Sequence, residues 1–242
     1  MKFSFAPLAS VVLAAGAANA GVAEELPSLM ASSGTPGTFD FYLLAQSWQP
    51  QFCHGKESQY PGCKNPEEWM KTHFTLHGLW PEYKSGSYPQ NCKSTTFDAK
   101  TVENAVGMGN LTKYWPEVEY DVSSSQYPTF WEHEWSRHGS CTGLDQRTYF
   151  AVAVSMLRDG LASTPDFIQK NVGKTVSTAD LRAAYGANTP VLKCSGKYLS
   201  QVFTCWEKNS KNNIPTTGMA CPAAVLKEDT CKGTSVSLQA FA

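Results

Sequence analysis

Apolar positions along this chain change period several times, and the changes mark its elements. Phe39–Trp48 is a continuous aromatic and aliphatic run centred on Phe41-Tyr42-Leu43-Leu44 and ended by Gln49-Pro50, which predicts a strand. His73–Leu79 alternates instead: His73, Thr75, His77 and Leu79 fall on one face, and Phe74, Leu76 and Trp80 on the other. This pattern predicts a central strand that breaks at Gly78 and Pro81. Helices are expected at Pro66–Lys71, at Asp98–Leu111 and at Leu144–Arg158, where Tyr149, Phe150, Val152, Ala153, Met156 and Leu157 recur at helical spacing. Ser177-Thr178-Ala179-Asp180 resembles a capping box before Leu181–Tyr185, with Gly186 as the stop. Val191–Cys194 and Tyr198–Trp206 predict further strands. With no internal repeat and no linker, the expectation is one α+β domain.

One segment concentrates chemistry. Phe130–Cys141 reads Phe-Trp-Glu-His-Glu-Trp-Ser-Arg-His-Gly-Ser-Cys. On a helical wheel with His133 at zero, Arg137 falls at about 40°, Glu134 at about 100° and His138 at about 140°, so the four share one polar arc. Trp131 and Trp135 fall beside that arc as core anchors. Gly139 is expected to stop the helix and Cys141 to tie it down covalently. A plain alternative is an ion-paired surface worth tenths of a kcal/mol per pair. A zinc helix is disfavoured, because that motif needs histidines four apart and His133 and His138 are five apart.

Composition narrows the setting. The chain has 242 residues, a hydrophobic share of 42% and a formal net charge of −1, which suits a globular protein and excludes a polycation gripping duplexes by wholesale counterion release. Residues 1–20 carry Lys2, an apolar run and Ala18-Asn19-Ala20, the pattern of a signal peptide cleaved before Gly21. Residues 21–37 read as a flexible leader, and 38–242 as the folded domain. Eight cysteines behind an export signal predict disulfides. Beyond the signal peptide no apolar run approaches about 18 residues, so no membrane span is expected. Asn110-Leu111-Thr112 is the one glycosylation sequon. His54 is expected to be exposed and without a role.

With both histidine segments in hand, the chain resembles the ribonuclease T2 family of secreted acid ribonucleases. The likeness rests on Phe74-Thr75-Leu76-His77-Gly78-Leu79-Trp80-Pro81 and on Phe130–Cys141, and extends through Tyr88-Pro89-Gln90-Asn91-Cys92 to the last cysteine. It implies an α+β fold with a central antiparallel sheet flanked by helices, and four disulfides: Cys53–Cys63, Cys92–Cys141, Cys194–Cys231 and Cys205–Cys221. It further implies a monomeric endoribonuclease that cuts single-stranded RNA without a metal or other cofactor, with no membrane or obligate protein partner, outside the cell or in a vacuole- or lysosome-like compartment.

The residues suit that chemistry independently. Cutting RNA through its own 2′-OH needs a base for that proton, an acid for the departing 5′-oxygen and positive charge for the transition state. Two imidazoles can fill both proton roles at mildly acidic pH. The resemblance assigns His138 as base, His77 as acid, His133 as phosphate holder, and Glu134 and Arg137 as supports of the transition state. It places Trp80, Glu82 and Phe130 at the bases. Arg137 stands where most members carry lysine, and Glu82 where Asp or Asn is usual. Two rivals are a non-catalytic relative, expected to lack one of His77 and His138, and a metalloprotease on His133-Glu134.

Overall fold

The computed structural model describes residues 30–241, so the expected signal peptide and most of the expected leader lie outside it. The strands are β1 (Met30–Ser33), β2 (Phe41–Ser47), β3 (Thr75–Glu82), β4 (Ser87–Gln90), β5 (Thr175–Ser177), β6 (Val191–Ser195), β7 (Tyr198–Lys208), β8 (Pro215–Met219) and β9 (Ser235–Ser237). The helices are α1 (Gln49–Cys53), α2 (Pro61–Lys64), α3 (Ala99–Val106), α4 (Met108–Tyr114), α5 (Thr129–Arg137), α6 (Gln146–Arg158), α7 (Asp166–Gln169), α8 (Thr178–Ala183) and α9 (Ala223–Leu226). The end of the expected leader is attached: β1 pairs in parallel with β4, and the Gly37 N–H donates to the Cys141 carbonyl at 2.9 Å.

One sheet runs β3-β2-β7-β9-β5, with β6 and β8 also paired to β7. Its long pairs, β2 with β3 and β2 with β7, are antiparallel. On one face Tyr42, Leu44, Leu76, Leu79 and Trp206 pack with residues of α3 to α6 such as Val102, Trp131, Trp135 and Phe150. Further along that face Trp48, Leu192, Leu199 and Val202 pack with Ile168 of α7 and Leu181 of α8. On the other face Phe41, Leu43, Trp80 and Phe203 meet Tyr88, Cys221 and Val225. The fold is thus the expected α+β domain, stapled by the four expected disulfides.

Three local expectations need correction. β3 is an edge strand, not a central one. Its strict alternation also fails, because Ala45 pairs with Gly78 while Gln46 pairs with Leu76, leaving His77 as an inserted residue. Such a bulge lets Leu76 and Leu79 share one face and re-aims the side chain between them. The expected helix Asp98–Leu111 breaks at Gly107, whose φ of +84° is left-handed, into α3 and α4. Asp98 caps the first of these by accepting from the Lys100 N–H.

Candidate active site

α5 forms where expected, and its two tryptophans fix its orientation. Trp131 and Trp135 are buried, and their indole N–H groups donate to the carbonyls of Trp115 and Thr95, both at 2.9 Å. The helix ends at Arg137, with His138 as its C-cap. Gly139 serves close packing and not the expected stop: a Cβ there would lie 2.7 Å from Trp135 Cε3 and 2.8 Å from Tyr149 Cε1. The Cys92–Cys141 bridge then joins the segment after β4 to the turn after α5. Beside it the Asn91 N–H donates to the Arg137 carbonyl at 2.9 Å, and the Cys92 N–H to Ser140 Oγ at 3.1 Å.

These elements bring His77, Glu134 and His138 together. Glu134 is fully buried at 0% exposure. One carboxylate oxygen accepts the Trp80 indole N–H at 2.8 Å, and the other lies 3.6 Å from His77 Nε2. The second imidazole nitrogen, Nδ1, is 3.3 Å from Gln201 Oε1 on β7. Glu134 approaches this closely because residue 78 is glycine; a Cβ at Gly78 would overlap both Glu134 Oε2 and Trp80 Nε1. The His138 ring stacks on Trp80 at 4.9 Å and 24°, with Tyr88 on a tilted plane 6.0 Å away. The Tyr88 hydroxyl accepts from Arg137 Nη2 at 3.3 Å. His133 is half-buried on α5, and Phe130 is half-buried and tilted against His77 at 5.6 Å.

Trp80 and Glu82, expected at a base, are placed differently. Trp80 is buried, stacked on His138 and edge-on to both His77 and Phe203. Its observed work is to hold Glu134 and back His138. Glu82 is 1% exposed, and burial, followed by the nearby Glu228 carboxylate, pushes its carboxyl well above the ordinary range. Neither presents surface to a ligand in this arrangement. Asn110 lies in α4, its Nδ2 donating to the Val106 carbonyl at 2.8 Å. His54 is exposed, with Nδ1 3.3 Å from Gln239 Nε2. The sequence pattern missed Gln201, which carries no local signal, and marked Tyr88 only as part of the segment Tyr88–Cys92 that shares the family likeness.

The model of the Ribonuclease T2 family matches residues 39–221 of this chain. Intracellular ribonuclease LX of Solanum lycopersicum is 36% identical over 207 residues, covering 74% of this chain and 78% of its own. Extracellular ribonuclease LE of the same organism is 27% identical over 224 residues, covering 84% and 88%. Among solved structures, RNase NT in complex with 5′-AMP superimposes with a TM-score of 0.63 at 27% identity, over 84% of this chain and 99% of that one.

Proposed function

This chain belongs to the ribonuclease T2 family and is an RNA-cleaving enzyme; we propose that it cuts single-stranded RNA with low base specificity, by transesterification between two histidines and without a metal. His138 takes the proton of the 2′-OH, the 2′-oxygen attacks phosphorus, and the 5′-oxygen leaves with a proton from His77. The product is a 2′,3′-cyclic phosphate, which water opens to a 3′-phosphate with the two imidazoles exchanging roles.

The observation that carries this reading is the buried Glu134 carboxylate, 3.6 Å from His77 Nε2. A carboxylate at that range favours the protonated imidazole, which suits an acid. His138 is buried instead against the rings of Trp80 and Tyr88, and burial of an imidazole among rings favours its neutral form, which suits a base. Arg137 and His133 supply positive charge and donors for the phosphate. Phe130 is the ring at hand for a base, while contact by Trp80 and Glu82 requires Trp80 to leave His138.

The signal-peptide pattern of residues 1–20 supports export to the cell exterior or to a vacuole-like compartment; the relatives include both intracellular and extracellular ribonucleases. Among the described residues no helix is long and apolar enough to cross a membrane. We further read the enzyme as a monomer that carries a glycan on Asn110. Digestion of homopolymeric RNAs in EDTA, followed by identification of the ends, tests the reaction. Cyclic phosphates maturing to 3′-phosphates are expected. Products bearing 5′-phosphates, or loss of cleavage in EDTA, would overturn it.

A further inference from the structure

A second concavity, of about 420 Å³, lies where the start of β7 meets β5, β9 and the C-terminal segment. Its chemistry is one-sided. Lys174 and Lys197 line it with the hydroxyls of Thr175 and Ser237 and the rings of Tyr198 and Phe241, and no Asp or Glu is among the described lining residues. Both lysines are exposed, and Lys197 Nζ sits 5.3 Å from the Tyr198 ring centre.

The backbone connects this pocket to the catalytic face. In β7, Gln201 pairs with Lys193 but Leu199 pairs with Cys194, so Ser200 is an inserted residue. Leu199 and Val202 therefore share one core, and Tyr198 returns to the face that carries Gln201 and Phe203. Gln201 is the residue that meets His77. Three residue steps along the strand separate it from Tyr198, about 10 Å. A single-stranded polymer can span that distance, and lysines flanking aromatic rings are what bind its phosphates and stack its bases.

We propose that this pocket is an outer subsite for the RNA strand: Lys174 and Lys197 hold a phosphate beyond the cleaved linkage, and Tyr198 with Phe241 carries the attached base. The proposal rests on the enzyme cutting RNA, so the experiment separates the two. kcat/KM is measured for a dinucleotide and for an unstructured decanucleotide, with the parent, Tyr198→Ala and Lys174→Ala/Lys197→Ala, over a range of salt. The dinucleotide is too short to reach the pocket, so all three proteins should cleave it alike. On the decanucleotide, Tyr198→Ala should lose about tenfold, since stacking on one base is worth about 1–3 kcal/mol. The double lysine variant should flatten the slope of log(kcat/KM) against log[salt] by about 0.7 for each phosphate it no longer neutralises. If each variant changes both substrates by one factor, or changes neither, the subsite is refuted. A parent that cleaves neither substrate would overturn the RNA reading itself, and the subsite with it.

Discussion

Replacing Gly78 by alanine tests how the site is assembled. Glu134 Oε2 and Trp80 Nε1, bonded at 2.8 Å, occupy the space that a side chain at residue 78 would need. Cβ atoms essentially never approach other atoms within 3.0 Å, so the carboxylate and the indole must retreat by about 1 Å, and a shift of that size can cost about 10²-fold in rate. Parting a neutral donor from a buried carboxylate costs about 1.5–3 kcal/mol, while alanine in a strand gains about 0.5–1 kcal/mol over glycine. A net loss of about 1–2 kcal/mol is therefore expected. Steady-state cleavage of a dinucleotide should show kcat falling about 100-fold, and urea unfolding should show the lower midpoint. Gly109→Ala is the control, since a Cβ there meets nothing within 4 Å; it should leave activity alone and not destabilise. If Gly78→Ala keeps parental kcat and midpoint, Glu134 is not positioned by that close approach.

Other perturbations separate proton transfer, charge and covalent constraint. His77→Ala and His138→Ala should each lower kcat by about 10²–10⁴, with the double variant losing much less than the product, whereas His133→Ala should act chiefly on KM; multiplicative losses would show that the two imidazoles do not act as a pair. Glu82 binds its proton more tightly when folded, so its contribution to stability is intact below the unfolded carboxyl pKa near 4.5 and is lost as pH rises toward the raised folded value. Glu82→Gln should accordingly gain on the parent by up to about 1.4 kcal/mol per pH unit above that point, and parallel stability curves from pH 4 to 7 would refute this. Glu117, pushed up to about 7 mainly by burial, works in the same direction, and Glu117→Gln should show its gain between pH 4.5 and 7. Removing the Cys92–Cys141 bridge, which spans 49 residues, should cost up to about 4 kcal/mol in calorimetry on the chain-entropy account.

The sequence made α5 legible because its signals are local: tryptophans at one angle, His, Glu and Arg at another, and a cysteine beyond. The disulfide pairing came from family likeness, and the structure has the same pairing. What failed was tertiary. An alternating pattern has no means of registering the inserted residue at His77, so it assigned the wrong faces to β3. The alternating pattern read as a central strand, whereas β3 lies at the sheet edge with the Tyr149 hydroxyl of α6 bonded to its Leu79 carbonyl. Gly139 looked like a helix stop because glycine has two uses, and only the nearby Tyr149 ring reveals which applies. Gln201 meets His77 across 124 residues of chain, a contact no local pattern encodes.

The edge position of β3 gives the catalytic helices a second consequence. An uncovered outer strand exposes backbone donors and acceptors to which another chain can add. Here the Tyr149 hydroxyl of α6 donates to the Leu79 carbonyl at 3.2 Å, and Glu134 of α5 closes over Gly78 and Trp80. The helices that complete the site thereby act as a guard against intermolecular β-pairing. Substitutions that loosen α5 or α6 should uncover a sticky margin before the domain melts, so damage to the chemistry and loss from the soluble fraction should travel together.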